Sequence, residues 1–169
     1  MLDAIQMTVI EKIFFNISKG SLNLLEVVEE IRQFVLVKPE REYKVIIGSD
    51  SATKNPVSVV STITVWRVGN GGMYFWTRAR EKNFYTLQDR IYSEALQSIT
   101  LAQELKSRLK EIFGEEMLER QIEVHLDVGL NGPTKTMVDQ VVGMVKGYGF
   151  DPVIKPASFG ASSVADRHT

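Results

Sequence analysis

Two apolar runs in this chain end on a bare carboxylate. KVIIGSDS carries Asp50 at its tip, and IEVHLDVG carries Asp127. An Asp at a strand end can cap a helix or close an Asx-turn. It can also be one arm of a metal site. A third acid stands out by its setting. Leu87, Ile91, Ala95, Leu101, Ala102, Leu105, Leu109 and Ile112 form a helical apolar stripe. At about 100° per residue, Glu94 falls inside that stripe. A carboxylate facing a sheet needs an ion partner, a proton or a metal, unless it sits at the helix's open end and reaches water. The fourth acid is Asp166 in ASFGASSVADRHT. The small residues Ala161, Ser162, Ser163 and Ala165 would let this segment approach a sheet closely; the other reading is a solvated terminal residue.

Carboxylates crowded together raise one another's pKa unless cations lie between them. An all-oxygen donor set suits the hard ions Mg²⁺ or Mn²⁺. Two such ions about 3.5–4 Å apart activate water on one side of a phosphodiester and stabilise the leaving oxygen on the other. In that arrangement Asp50, fixed on a rigid strand, is the shared bridging ligand. His125 lies within its strand and reads as a structural histidine held by a neighbouring group.

The elements that must deliver these acids follow from patterning. Ile5, Val9, Ile10, Ile13 and Phe14 fall at helical spacing, and Asn23 with Glu26 forms a capping-box signature for a second helix through Phe34. Residues 43–50 read as a buried strand. VSVVSTITVWRV, the turn Gly69-Asn70-Gly71-Gly72 and MYFWTRAR read as a hairpin. A long helix is expected from Thr86 to Phe113, stopped by Gly114. QIEVHLDV is the next strand; a helix follows Gly132-Pro133, then a short strand near Val153-Ile154. The expected fold is α/β: a mixed five-stranded sheet with helices on both faces. Its first three strands are antiparallel and its last two run parallel to the first. Residues 1–40 are expected to be an N-terminal helical arm on a domain of residues 41–169.

With 169 residues, 44% of them hydrophobic and 24% charged, the composition is that of an ordinary globular protein. The absence of cysteine excludes disulfides and thiolate chemistry. The N-terminus lacks a basic region and a cleavage site, and no apolar run is long enough for a membrane span; a cytoplasmic location is expected. A net charge of −1 argues against a generally basic nucleic-acid surface, leaving bound cations or a local patch to meet phosphate. Arg78, Arg80 and Lys82 form one such cluster, or a solvated strand end. Trp66, Tyr74 and Trp76 belong either to the core or to a partner surface.

The pieces IIGSDS, HLDVGLNG and GMVKGYGFDPVIKPASFGASSVADRHT resemble the YkuK-type family of ribonuclease H-like proteins, over about residues 40 to 169. The resemblance implies a ribonuclease H-like fold and places the superfamily's Asp, Glu, Asp and Asp on Asp50, Glu94, Asp127 and Asp166, as catalytic residues and ligands of two divalent ions. His168 is similar in place to the mobile histidine that assists water placement or product release in some members; a solvated tail is the alternative. Asn131 and Lys135, at a helix N-terminus, and Lys155, at the last strand's end, are candidate phosphate contacts or ordinary surface residues. The implied activity is a metal-dependent nuclease acting on RNA, RNA–DNA hybrid or structured DNA. The alternative is a non-catalytic module of the same fold that binds nucleic acid or protein.

Overall fold

The computed structural model describes residues 12–114, 122–160, 165, 168 and 169. Its strands are β1 (Phe14–Asn16), β2 (Gly20–Leu22), β3 (Tyr43–Ser51), β4 (Val59–Arg67), β5 (Gly72–Arg78), β6 (Ile122–His125) and β7 (Asp151–Val153). Its helices are α1 (Leu24–Val37), α2 (Leu87–Phe113) and α3 (Val138–Gly147). All seven strands form one sheet in the order β2-β1-β5-β4-β3-β6-β7.

The central pairings follow the expected pattern. β3, β4 and β5 are antiparallel neighbours, with Asp50 opposite Val60, and β6 runs parallel to β3 with β7 parallel to β6. Among the described residues the sheet nevertheless has seven strands, not five. The additional pair is the hairpin β1–β2, which joins the edge of β5 through Phe15 opposite Trp76. Much of the helix expected from Ile5 to Phe14 lies outside the described residues, and Phe14 itself opens a strand. Its fully buried ring belongs to the core, so long-range packing decides its conformation over local spacing.

The helix ends are set locally. In α1 the Glu26 N–H donates to Asn23 Oδ1 at 2.9 Å, while the Asn23 N–H donates to Glu26 Oε2 at 2.7 Å. In α2 the Thr86 hydroxyl accepts from the Asp89 N–H at 3.0 Å, and Gly114 ends the helix with φ 75°. Expected stripe residues Leu87 and Ile112 stay exposed at the two ends of α2, whereas Ile91, Ala95, Leu101, Ala102, Leu105 and Leu109 are buried.

α1 and α3 both pack against α2, and the core joins all three helices to Val45, Ile47, Ile63 and Val65. These three helices share one face of the sheet, and the other face carries Phe159 and Gly160 in helical conformation against Ile46 and His125. On the other face the C-terminal segment lies close to the strands. A Cβ added at Gly160 would stand 2.7 Å from Ile46 Cγ2 and 3.2 Å from His125 Nδ1, so backbone approaches sheet where a side chain has no room. No described helix is long and apolar enough to cross a membrane.

Candidate functional site

Asp50, Glu94 and Asp127 line one cleft of about 420 Å³, together with Arg90, Thr134 and Lys155. Three elements bring them there. Asp50 is the penultimate residue of β3 and Glu94 projects from the second turn of α2. Asp127 follows the end of β6 by two residues, so it rides on the loop and not on the strand as expected. That loop is tied back by the Leu126 N–H to Val153 O and by the Gly129 N–H to Thr134 Oγ1, at 2.8 and 3.1 Å.

A run of small hydroxyls sets the register between helix and sheet. Ser98 Oγ donates to Ser49 Oγ at 2.7 Å, and Ser49 and Ser61 share a second bond of 2.7 Å. One helical turn earlier, Ser51 Oγ donates to Glu94 Oε1 at 2.6 Å. Serines replace larger apolar residues here because α2 must approach β3 closely enough to bury polar atoms, which then need partners.

Glu94 is 5% exposed. Its pKa is pushed up to about 8, first by loss of water and then by the negative charges of Asp50 and Asp127; the Ser51 bond and the Arg90 charge oppose this without cancelling it. Beside it, Lys155 Nζ stands 2.8 Å from Asp127 Oδ1. That ion pair lacks hydrogen-bond angles, and Oδ1 is buried without a hydrogen bond among the described residues. Arg90 donates through Nη2 to Thr53 O at 3.0 Å, while its Nε is a buried donor left without a hydrogen bond. The cleft thus presents a carboxylate oxygen that has an ion-pair partner but no hydrogen bond, and a guanidinium donor left without an acceptor.

A hard divalent cation fits this donor chemistry: the carboxylates repel, one Asp127 oxygen lacks a hydrogen bond, and Glu94 is held from ionising by loss of water and by the charges of Asp50 and Asp127. It does not fit as an assembled cage. Among the described residues no three His, Asp or Glu side chains are grouped to hold an ion. The ammonium of Lys155 is the positive charge beside Asp127.

The remaining candidates fall in different places. Asp166 lies outside the described residues. Asn131 and Lys135 are exposed and are not among the lining residues of the cleft. The helix they were expected to open begins later, at Val138, after a single 3-10 turn over Lys135–Met137. Thr134 gives no cap to that turn, its hydroxyl being taken by Gly129. His168 is on the face away from the helices, stacked on Trp76. His125 is fully buried, with Nδ1 accepting from the Gly160 N–H at 3.0 Å and Nε2 2.9 Å from Glu123. That pairing leaves the ring proton on Nε2, and burial lowers the pKa of His125 despite Glu123. Arg90 is the site residue that patterning did not single out. Its one sequence signal is its place four residues before Glu94 on the same helix. A larger cavity of about 640 Å³ opens between β5 and α2, but its lining includes none of the candidate acids.

An acid-lined edge at the carboxyl ends of two parallel strands, on a sheet of three antiparallel and two following parallel strands, is an arrangement of ribonuclease H-like domains. The chain belongs to this family, whose description, "Ribonuclease H-like", matches residues 26–169. Among curated relatives it is similar to "Uncharacterized protein YkuK" of Bacillus subtilis (strain 168). The two are 28% identical over 169 residues, an alignment covering 93% of this chain and 96% of the relative. No solved structure matches the chain.

Proposed function

We propose that the protein is a divalent-metal-dependent nuclease that hydrolyses phosphodiester bonds in RNA, RNA–DNA hybrid or structured DNA. The observation that carries this reading is the convergence of Asp50, Glu94 and Asp127 on one cleft that also holds two cationic side chains. Asp50, Glu94 and Asp127, with Asp166 as the proposed fourth ligand, are the residues that would hold Mg²⁺ or Mn²⁺. Bound there, a pair of ions supplies an activated water and charge stabilisation for the leaving oxygen. The chain's own groups do the positioning. Arg90 Nε is a donor in search of an anionic oxygen, and Lys155 offers a half-exposed ammonium to a phosphate. Arg90 and Lys155 give the cleft local positive charge for a polyanion in a chain whose net charge is −1.

A second reading, a non-catalytic module of the same fold, is favoured by the Lys155–Asp127 pair, which meets the cleft's need for positive charge without a metal. The two part in one experiment. Labelled RNA, hybrid and branched DNA are incubated with the purified protein and Mn²⁺ or Mg²⁺. Cleavage that Asp50→Asn abolishes supports the nuclease. Cleavage unchanged by Asp50→Asn, or none on any substrate while Mn²⁺ leaves the melting temperature unmoved, refutes it.

A further inference from the structure

The sheet face turned away from the helices carries an aromatic row. Phe15, Trp76 and Tyr74 lie side by side, with ring centroids 5.8 Å apart for Phe15–Trp76 and 5.9 Å for Tyr74–Trp76, each pair tilted by 34°. None of these three side chains is buried, and Phe15 is 38% exposed. One flat heterocycle already sits on the row. The imidazole of His168 lies 3.9 Å from Trp76 with 6° between planes. Its Nε2 is 3.3 Å from the Tyr74 hydroxyl, and Arg78 donates to its backbone carbonyl. A planar, nitrogen-containing ring is therefore accommodated with both stacking and a polar edge contact.

The geometry points to Trp76 and Tyr74 as a stacking site for a base of single-stranded nucleic acid, which His168 occupies in the free protein. Every base has a π-face, so such a platform binds strands with little regard to sequence. The contact that anchors the His168 segment also fits a ligand of this class. When the segment leaves, the exposed Arg78 guanidinium exchanges a carbonyl oxygen for a phosphate oxygen. Placement fits as well. Asp50, Val60 and Arg78 form one cross-strand row, and Gly48, Thr62 and Trp76 form the next row on the same face. With strands about 4.8 Å apart and same-face rows about 6.8 Å apart, Trp76 lies about 12 Å from Asp50 along the sheet. A strand stacked on Trp76 therefore has the acid cleft within reach of its neighbouring nucleotides. The inference shares with the proposed nuclease a nucleic-acid ligand, but it needs neither metal nor hydrolysis.

The test is fluorescence anisotropy of a fluorescein-labelled single-stranded oligoadenylate, titrated with full-length protein in EDTA at low salt. Wild type is expected to bind. Trp76→Leu should weaken binding about 5- to 150-fold, the range of one lost base stack. Trp76→Phe should fall between the two, and His168→Ala should bind more tightly than wild type by removing the competitor. Hydrolysis is read separately, on wild type with Mn²⁺ and labelled RNA, hybrid and branched DNA: if wild type binds through Trp76 in EDTA but cleaves none of these with Mn²⁺, the nuclease reading fails and the platform stands. The platform is overturned if neither wild type nor His168→Ala binds, or if Trp76→Phe and Trp76→Leu both match wild type. It is equally overturned if His168→Ala lowers the melting temperature without tightening binding, which would make the stack a structural anchor only.

Discussion

Replacing Glu94 by Gln tests the electrostatics of the cleft directly, because the amide keeps an oxygen for the 2.6 Å bond from Ser51 and discards the charge. A carboxyl group whose folded pKa is raised lends stability that is complete below its unfolded value and is lost as pH rises through the folded one. For Glu94 the window runs from 4.5 to about 8. Each pKa unit corresponds to about 1.4 kcal/mol, so roughly 3 kcal/mol is gone by pH 7 and about 5 kcal/mol once the group is fully ionised. Native domains hold only about 5–15 kcal/mol in all, so the effect is large enough to measure. Urea unfolding of both proteins from pH 5 to pH 9 is the assay. Glu94→Gln should match wild type near pH 5 and exceed it by roughly 3 kcal/mol at pH 7, with the gap widening to pH 9. Saturating Mn²⁺ should close the gap by favouring the ionised carboxylate in wild type alone. Parallel stability curves across this range, with or without Mn²⁺, would refute the buried, charge-crowded Glu94 on which the argument rests.

Lys155→Met removes the ammonium paired with Asp127; Mn²⁺ affinity by calorimetry should rise several-fold and affinity for a nucleic-acid strand should fall, and unchanged Mn²⁺ affinity would show that Lys155 does not compete for the carboxylate. Gly160→Ala places a methyl 2.7 Å from Ile46 Cγ2. That overpacking should lower stability by about 1–3 kcal/mol in denaturant unfolding, and a neutral result would mean the segment moves away freely.

The parts of the fold legible in the sequence are those written in short-range chemistry. Asn23 and Glu26 announce their capping box, and Thr86 and Gly114 bracket the long helix. Glu94 betrays itself by falling in an apolar stripe. The hairpin β1–β2 is not legible, since strands of three residues are too short to show a period and are held by their neighbours. The late start of α3 was hidden for a related reason: Thr134, just before the 3-10 turn, spends its hydroxyl on Gly129 across the loop. Within the cleft the acids could be read from their places at element ends. Arg90 and the Lys155–Asp127 pair could not, because unfilled donors and ion pairs arise only when separate segments meet in space.

The strand order places two of the three-residue strands, Gly20–Leu22 and Asp151–Val153, at the outermost positions. The second carries Pro152, which has no N–H to offer a newcomer. A seven-stranded platform that tapers in this way gives another chain almost no ladder to extend. Copies that meet edge to edge therefore find little backbone to zip together, and the long, hydrogen-bond-rich strands stay sealed in the middle, where they hold Asp50, Tyr74 and Trp76 in fixed register.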